Sequence, residues 1–148
     1  MKSIKNLLIT PLLAALLTVS CEKSDHEANG IDHQVDGKWN VTAYIDDEAI
    51  TAPFEIDMNL SSSSKDSVVI KDVANDFWNF QVKAGVNVIK RTFDTKLSYC
   101  EVSDQGVGVK ITNGKIISPD SIYLEIRFED DEVPYGTNYI LKGSKATE

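Results

Sequence analysis

The sequence predicts an all-β domain, folded as an antiparallel up-and-down barrel or a sandwich of about eight or nine strands. Apolar and polar residues alternate over several short segments, most clearly from Phe54 to Leu60 and from Ile122 to Phe128. Such alternation buries one face of a strand and leaves the other in water. Segments rich in Gly, Pro, Asn, Asp and Ser separate the strands, and no comparable length has a helical period.

The predicted strands follow one another at short intervals. They lie near residues 38–45, 53–60, 67–73, 77–83, 86–93, 96–102, 106–112, 115–129 and 137–143. Asn113-Gly114 predicts a tight hairpin turn, because both residues accept the positive φ of a type I′ turn. Pro119 is a point at which the segment 115–129 would divide into two strands. Regular short strands with turns between them favour a barrel or a sandwich.

Residues 1–20 have the layout of a secretory signal peptide. Lys2 and Lys5 precede an apolar run from Leu7 to Val19, which is shorter than the roughly 20 residues that a membrane-spanning helix needs. The run ends in Leu-Thr-Val-Ser-Cys, which resembles the lipobox cut by lipoprotein signal peptidase, although Thr18 stands where the motif usually carries Leu. This resemblance implies that the mature chain begins at Cys21 and is anchored to a membrane by lipid on it. The alternatives are an ordinary secretory signal and a buried apolar helix.

Residues 21–34 predict the lipidated cysteine followed by a flexible acidic tether. The segment is polar and lacks a sustained apolar period, as disordered linkers do. Its acidic residues close behind Cys21 resemble the surface-export signal of Bacteroidetes lipoproteins. That resemblance implies a place in the cell envelope, on the outer membrane and exposed at the surface. The alternative is a solvated linker that carries no export signal.

The charge and the histidine content narrow the function of residues 35–148. The chain has 15 Lys and Arg against 23 Asp and Glu, and without Lys2 and Lys5 the balance is 13 against 23. This acidity disfavours nucleic acid and anionic headgroups as partners. The two histidines, His26 and His33, precede the domain. It therefore lacks the histidine of a Ser-His-Asp or Cys-His site and the ligands of a zinc site. We expect no enzyme, no metal and no cofactor.

Carboxylates and one thiol are the remaining reactive groups. Two acidic runs, residues 46–48 and 129–132, are interpreted as solvated loop charges, with a calcium site or carboxylate catalysis as alternatives. If Cys21 carries lipid, Cys100 has no partner for a disulfide within the chain. A lone thiol in an exported protein is expected to be buried rather than reactive.

The start of the first strand, Gly37-Lys38-Trp39, resembles the Gly-x-Trp opening of lipocalins. In that family the Trp closes the base of the barrel, and a basic residue late in the last strand covers the indole. The resemblance implies that Lys142 or Lys145 covers Trp39 by a cation–π contact. The alternative is an ordinary strand start with a core Trp.

Three further segments carry a resemblance to a whole family. The block DSVVIKDVANDFWNFQVKAGVNV (66–88), KITNGKI (110–116) and YILKG (139–143) resemble the Bacteroidetes lipoprotein family labelled "lipid-binding putative hydrolase". The resemblance covers residues 35–142 and implies a calycin-like, antiparallel β architecture. No diagnostic catalytic signature goes with it.

Aromatic residues are the candidate ligand contacts. In a calycin-like barrel some would line a cup for an apolar ligand. Phe77 and Trp78, adjacent on a predicted strand, should point to opposite faces, so that one of them leaves the core. Simple core packing is the alternative for the set. The candidates are Trp39, Phe77, Trp78, Phe80, Tyr99 and Tyr139.

Two tripeptides, Asp66-Ser67-Val68 and Asp120-Ser121-Ile122, resemble the O-glycosylation motif of Bacteroidetes. Both are expected where a loop enters a strand, a position that is accessible, and both also fit ordinary turn chemistry.

Two functions from different classes remain. The first is a membrane-anchored binding module whose barrel holds an apolar or lipid-like ligand. The second is a non-catalytic interaction or structural module that docks on another envelope protein or glycan system. They differ in the barrel interior, because a ligand site needs a cavity of roughly 300 Å³ or more. Phe80, Val82 and Leu124 are expected to face that interior.

Overall fold

A computed structural model describes residues 35–63, 65–100 and 106–147, apart from the side chains of Lys96 and Leu97. The predicted signal peptide, the tether and Cys21 lie outside the described residues. Within them no helix has the length and apolar character needed to cross a membrane. The described part of the chain contains nine strands: β1 (Gly37–Ile45), β2 (Glu48–Ala49), β3 (Phe54–Leu60), β4 (Ser67–Asp72), β5 (Gln81–Asn87), β6 (Thr92–Tyr99), β7 (Gly108–Ser118), β8 (Ser121–Phe128) and β9 (Tyr139–Lys145).

The strands form one antiparallel sheet that closes on itself. Strands β3 to β9 pair in sequence order, and β1 pairs with both β3 and β9. Eight strands therefore form an up-and-down barrel, and the two-residue β2 pairs with the last residues of β1 as a short extension. The predicted all-β, up-and-down barrel is confirmed, and the sandwich alternative is wrong.

Successive strands alternate in direction, so their connections lie at two opposite ends of the barrel. We call one end the base; β1 starts there, β9 ends there, and residues 61–66, 88–91 and 119–120 connect strands there. We call the other end the rim. It carries the longer segments 46–53, 73–80 and 129–138, and β6 ends and β7 starts there. A long loop can fold over the barrel mouth, which a tight turn cannot do.

The alternation of the sequence places one face of every barrel strand in the interior. On β8 the residues alternate regularly between buried and half-buried positions. The interior is filled by large side chains, and burying each of them contributes about 1.5–3 kcal/mol. Phe80, Val82 and Leu124 are among the interior residues, as predicted. The largest fully buried side chains are Trp39, Phe80, Phe93, Phe128, Ile56, Met58, Ile70, Ile111, Ile122, Leu124, Ile126 and Leu141.

The predicted strands 77–83, 86–93 and 96–102 are wrong in their boundaries. Residues 73–80 form a loop, β5 starts at Gln81, and residues 88–91 are a turn between β5 and β6. The backbone N–H of Lys90 donates to the Asn87 side chain over 2.9 Å, and Arg91 has a φ of 55°. Apolar residues in this loop and turn imitate the alternation of a strand, so alternation alone could not locate the turn.

The hairpin predicted at Asn113-Gly114 is also wrong, because β7 continues through both residues. Asn113 has the positive φ that was expected, 52°, but it belongs to a β-bulge between Thr112 and Lys115. Gly114 lies against Phe93, whose ring and carbonyl leave no space for a Cβ atom. The turn lies instead at Pro119-Asp120, where the sequence predicted a division.

Candidate functional site

Aromatic rings from the rim loop 73–80 pack on the rim end of the barrel. Trp78 lies parallel to Phe128, with a ring-centroid distance of 4.3 Å and an interplanar angle of 7°. The Phe77 ring is 5.2 Å from that of Tyr139 and 5.5 Å from that of Phe54. Phe77 and Trp78 are half-buried, whereas the three rings beneath them are buried. We call these five residues the rim aromatic cluster.

A buried carboxylate folds the loop back over the rim. Asp72 ends β4 and is 1% exposed. Its Oδ2 accepts a hydrogen bond from the backbone N–H of Phe77 over 2.9 Å, and its Oδ1 accepts one from Asp76 N–H over 3.3 Å. The backbone N–H of Asp72 donates to the carbonyl of Phe80 over 3.0 Å. Asp72 therefore holds the start of the loop, and with it the position of Phe77.

The far end of the loop is held by the thiol. Cys100 is buried and unpaired, and its Sγ donates to the carbonyl of Asn79 over 3.2 Å. The expectation that this thiol is buried is confirmed. Because Cys100 directly follows β6, the contact joins the loop to a barrel strand that is not adjacent to β4.

The loop 129–138 closes the other side of the cluster. The hydroxyl of Tyr139 donates to Oδ2 of Asp131 over 3.2 Å. Burial raises the pKa of Tyr139, and the charge of Asp131 raises it further. A hydrogen bond from Thr137 lowers the pKa of Asp131 below its ordinary value. At neutral pH this pair is therefore a protonated phenol that donates to a carboxylate at the edge of the apolar cluster.

The structure brings four of the six aromatic candidates together. Phe77, Trp78 and Tyr139 belong to the cluster, and Phe80 lies just inside, with its ring 6.0 Å from that of Phe128. The prediction that Phe77 and Trp78 face opposite ways is wrong, because they lie on a loop and both contact Phe128. Tyr99 is 58% exposed and lies outside the cluster.

Sequence reasoning did not identify Phe54 and Phe128 as members of the cluster. Both are the rim-end residues of alternating strands, and that position is the signal that could have found them. Asp72 was missed because a carboxylate near a strand end is usually solvated.

Trp39, the sixth candidate, closes the base at the opposite end of the barrel. It is fully buried, and Lys145 Nζ lies 5.0 Å from the ring centroid. Lys145 also donates to the carbonyl of Asp36 over 2.8 Å. Gly37 has a φ of +113°, and a Cβ atom there would lie 3.3 Å from Lys145 Cε. The predicted cation–π contact is therefore confirmed for Lys145, and the glycine of Gly-x-Trp leaves space for the lysine to reach the indole.

Lys142, the other residue considered for this contact, lies over a different ring. Its Nζ is 5.1 Å from the centroid of Tyr44 and 3.2 Å from Asp47 Oδ1. Lys142 therefore acts on the outer surface rather than at the base.

A polar network lies on the outer surface, beside the bulge in β7. Glu125 accepts hydrogen bonds from Asn113 and Tyr123, each over 2.9 Å, and from Asn138 over 3.2 Å. The hydrogen bond from Asn113 is the main cause that lowers the pKa of Glu125. Burial, followed by its hydrogen bond to Glu125, raises the pKa of Tyr123. The network lines an open depression of 420 Å³ with Lys115, but its carboxylate is already occupied by donors of the chain itself.

Two predictions about polar sites can be compared with the structure. Ser67 is 7% exposed and its hydroxyl is buried without a hydrogen-bond partner, so the expected accessibility of this glycosylation motif is wrong. Ser121 is half-buried. Within the described ranges, no three His, Cys, Asp or Glu side chains are grouped as a metal ion would require.

Comparison with solved structures supports the fold. A redesigned β-barrel is similar to this chain with a TM-score of 0.51 and 14% identity, covering 79% of this chain and 96% of the other. At that identity the likeness concerns the fold alone. No curated protein matches the chain. A family model described as "Lipid-binding putative hydrolase" matches residues 24–148, which include every strand of the barrel and the rim aromatic cluster. The chain therefore belongs to this lipid-binding putative hydrolase family.

Proposed function

We propose that the domain binds an apolar, lipid-like ligand at the rim, where Phe77 and Trp78 cover the binding surface and move aside to admit the ligand. One observation carries this proposal: two half-buried aromatic rings on a loop outside the sheet pack on three buried rings at the barrel end. Membership of a lipid-binding family supports the class of ligand. We further propose that lipid on Cys21 anchors the chain to the outer membrane of a cell envelope, where such ligands are abundant.

The ligand would replace the loop rings rather than enter an empty barrel. Large side chains fill the interior positions, and Phe80 and Leu124 are at most 1% exposed. If the loop moves away, the faces of Phe54, Phe128 and Tyr139 form an apolar floor. An acyl chain on this floor regains the apolar contact that Phe77 and Trp78 lose, so the net affinity depends on the cost of opening the loop.

The charge of the rim selects the polar end of the ligand. The acidic runs 46–48 and 129–132 both lie at this end of the barrel, and Asp131 contacts the cluster through Tyr139. Carboxylates at this position repel an anionic headgroup. We therefore expect an uncharged long-chain alcohol or glyceride to bind more tightly than a fatty acid of the same length.

Native mass spectrometry of the purified chain with a long-chain alcohol tests the proposal. A one-to-one complex is expected, and Trp78→Ala should lower its dissociation constant about tenfold, because one of the two rings that the ligand must displace is lost. Tyr99→Ala is the matched control, since it removes an exposed aromatic ring outside the cluster and should leave binding unchanged. Binding that is equal in wild type, Trp78→Ala and Tyr99→Ala would refute the assignment to the rim.

A second candidate, an interaction module, is favoured by the large side chains buried in the interior and by apolar side chains exposed around the rim. Ile50, Val73 and Val133 are 43%, 42% and 65% exposed. This function predicts bare protein in the mass spectrum under all lipid additions, and it would then use the same end of the barrel to dock on an envelope protein or glycan.

We propose that the domain binds without hydrolysing its ligand. Residues 35–148 contain no histidine, so a nucleophile there has no imidazole base. Turnover of a long-chain p-nitrophenyl ester by the purified chain is expected to match the protein-free rate. Turnover that one carboxylate substitution abolishes would refute this expectation.

A further inference from the structure

The acidic charge is concentrated at one end of the barrel. The rim segments 46–53, 73–80 and 129–138 contain eight acidic residues and no Lys or Arg, the eight being Asp46, Asp47, Glu48, Asp76, Glu129, Asp130, Asp131 and Glu132. The described residues of the base that lie outside strands contain three acidic and three basic residues, namely Asp36, Asp66 and Asp120 against Lys65, Lys90 and Arg91. Outside the strands, the described residues are therefore strongly negative at the rim and neutral at the base.

The turn 88–91 at the base has an apolar tip beside two cations. Ile89 is 83% exposed, the most exposed of the large hydrophobic side chains described, and Lys90 and Arg91 follow it directly. The carbonyl of Arg91 accepts the backbone N–H of Ile116 over 2.9 Å, which fixes the turn against β7. Ile117, the next residue on β7, is 57% exposed. Two exposed isoleucines and two cations therefore lie at one edge of the base.

The preceding segment of the chain joins the barrel at this same end. Residue 35 leads directly into β1, which starts at the base, and Cys21 lies 14 residues before it in sequence. A membrane attachment within the first 34 residues would therefore connect to the barrel at the base rather than at the acidic rim. The net charge of the chain disfavoured anionic headgroups, but the distribution of that charge leaves the base free of this repulsion.

We infer that the base docks on an anionic lipid surface, with Ile89 and Ile117 in the headgroup region and Lys90 and Arg91 beside the lipid phosphates. Exposed apolar side chains flanked by cations are the chemistry of interfacial binding, and each cation near an anionic surface strengthens binding about fivefold. The rim, at the far end, is repelled and faces away from the membrane. This inference concerns the opposite end from the proposed ligand site, so either proposal can fail alone.

Depth-dependent quenching of an introduced tryptophan tests the docking. Ile89→Trp and the matched control Val133→Trp place the same ring at exposed apolar positions on the base and on the rim. The full chain is bound to vesicles of phosphatidylcholine and phosphatidylglycerol that carry brominated lipids. Both variants contain the same Trp39 and Trp78 background, and both attach by the same amino-terminal residues. We expect at least about twofold stronger quenching for residue 89 than for residue 133.

Charge reversal of the two cations and a change of salt concentration provide a second test of the docking. Lys90→Glu with Arg91→Glu, in the Ile89→Trp chain, should reduce the quenching at residue 89 to that of residue 133. Raising the salt from about 0.05 M to 0.5 M should weaken the quenching, because the Debye length falls to a few ångströms.

Three outcomes would overturn the inference. The first is equal quenching at residues 89 and 133 in chains bound to anionic vesicles. The second is quenching at residue 89 that persists in pure phosphatidylcholine, which would leave the cations without a role. The third is a dimer of the wild-type chain in solution that Ile89→Asn dissociates, which would assign the patch to a second copy.

Discussion

Replacing Asp72 by Asn should release the rim loop while leaving the barrel intact. The carboxylate accepts a hydrogen bond of 2.9 Å from Phe77 N–H and one of 3.3 Å from Asp76 N–H. Hydrogen bonds to a charged group contribute about 1.5–3 kcal/mol, and the longer one less. An amide retains one acceptor oxygen, so the variant keeps one bond and directs its NH₂ towards the other donor. We expect the free energy that holds the loop closed to fall by about 1.5–3 kcal/mol.

This loss should be local, and amide hydrogen exchange measures it directly. A loss of about 1.5–3 kcal/mol raises the exchange rate of the Phe77 amide about 10- to 150-fold, while amides in the middle of β8 keep their protection. Asp76→Asn is the matched control, because it removes an exposed carboxylate from the same loop. Exchange at Phe77 within about twofold of the wild-type rate would refute the role of Asp72 as the loop anchor.

The same variant connects the loop to ligand binding. If the ligand requires the open loop, a tenfold rise in the open population lowers the apparent dissociation constant for a long-chain alcohol about tenfold. Faster exchange at Phe77 with unchanged ligand affinity would show that the loop opens without admitting the ligand.

Three further predictions concern the base, the bulge in β7 and the polar network on the outer surface. Lys145→Met should lower the free energy of unfolding in urea by about 2 kcal/mol, because the cation–π contact with Trp39 and the hydrogen bond to Asp36 are lost. Lys142→Met, the control, should lower it by about 0.5 kcal/mol. Equal losses would contradict the role of Lys145 in closing the base. Gly114→Ala should lower the free energy of unfolding by about 2–3 kcal/mol, since its Cβ meets Phe93. Gly85→Ala, whose Cβ would lie 3.7 Å from the nearest atom, should lower it by about 1 kcal/mol or less. A tolerated Gly114→Ala would mean that β7 shifts easily at the bulge. Because the folded pKa of Glu125 is lowered, its network stabilises the fold above the ordinary pKa of 4.5, and that contribution disappears as the pH falls through the lowered value. The stability difference between wild type and Glu125→Gln, measured by thermal unfolding, should therefore shrink in acid. A difference that is constant with pH would exclude this linkage.

The sequence could predict the barrel because its strands carry a regular physical signal. On β8 four apolar residues alternate with polar ones, and each faces the side that the period of two requires. The same signal failed at residues 77–80, because Phe-Trp-Asn-Phe in a loop looks like a strand in sequence. What distinguishes the loop is the buried side chain of Asp72, whose partners lie four and five residues further along the chain. Alternation cannot reveal that contact.

Asn113-Gly114 shows a second limit of the sequence. The conformational preference was predicted correctly, since Asn113 does take a positive φ. The type of element was predicted wrongly, because a hairpin turn and a bulge use the same residue types and differ in whether the chain reverses. Here Gly114 fits against Phe93 of β6, a long-range contact that favours continuation of the strand.

The two ends of the barrel differ in how much it costs to open them. Opening the base would expose Trp39, which is fully buried, and would also break the contacts of Lys145 with the indole and with Asp36. Opening the rim moves two rings that are already half-buried, and the hydrogen bonds of Asp72 and Cys100 are among the local restraints on the loop that carries them. The proposed ligand, which must displace part of the protein, should therefore enter at the rim, where the displaced part is less buried. The chain before residue 35 joins the base, so the proposed membrane anchor would leave the rim unobstructed.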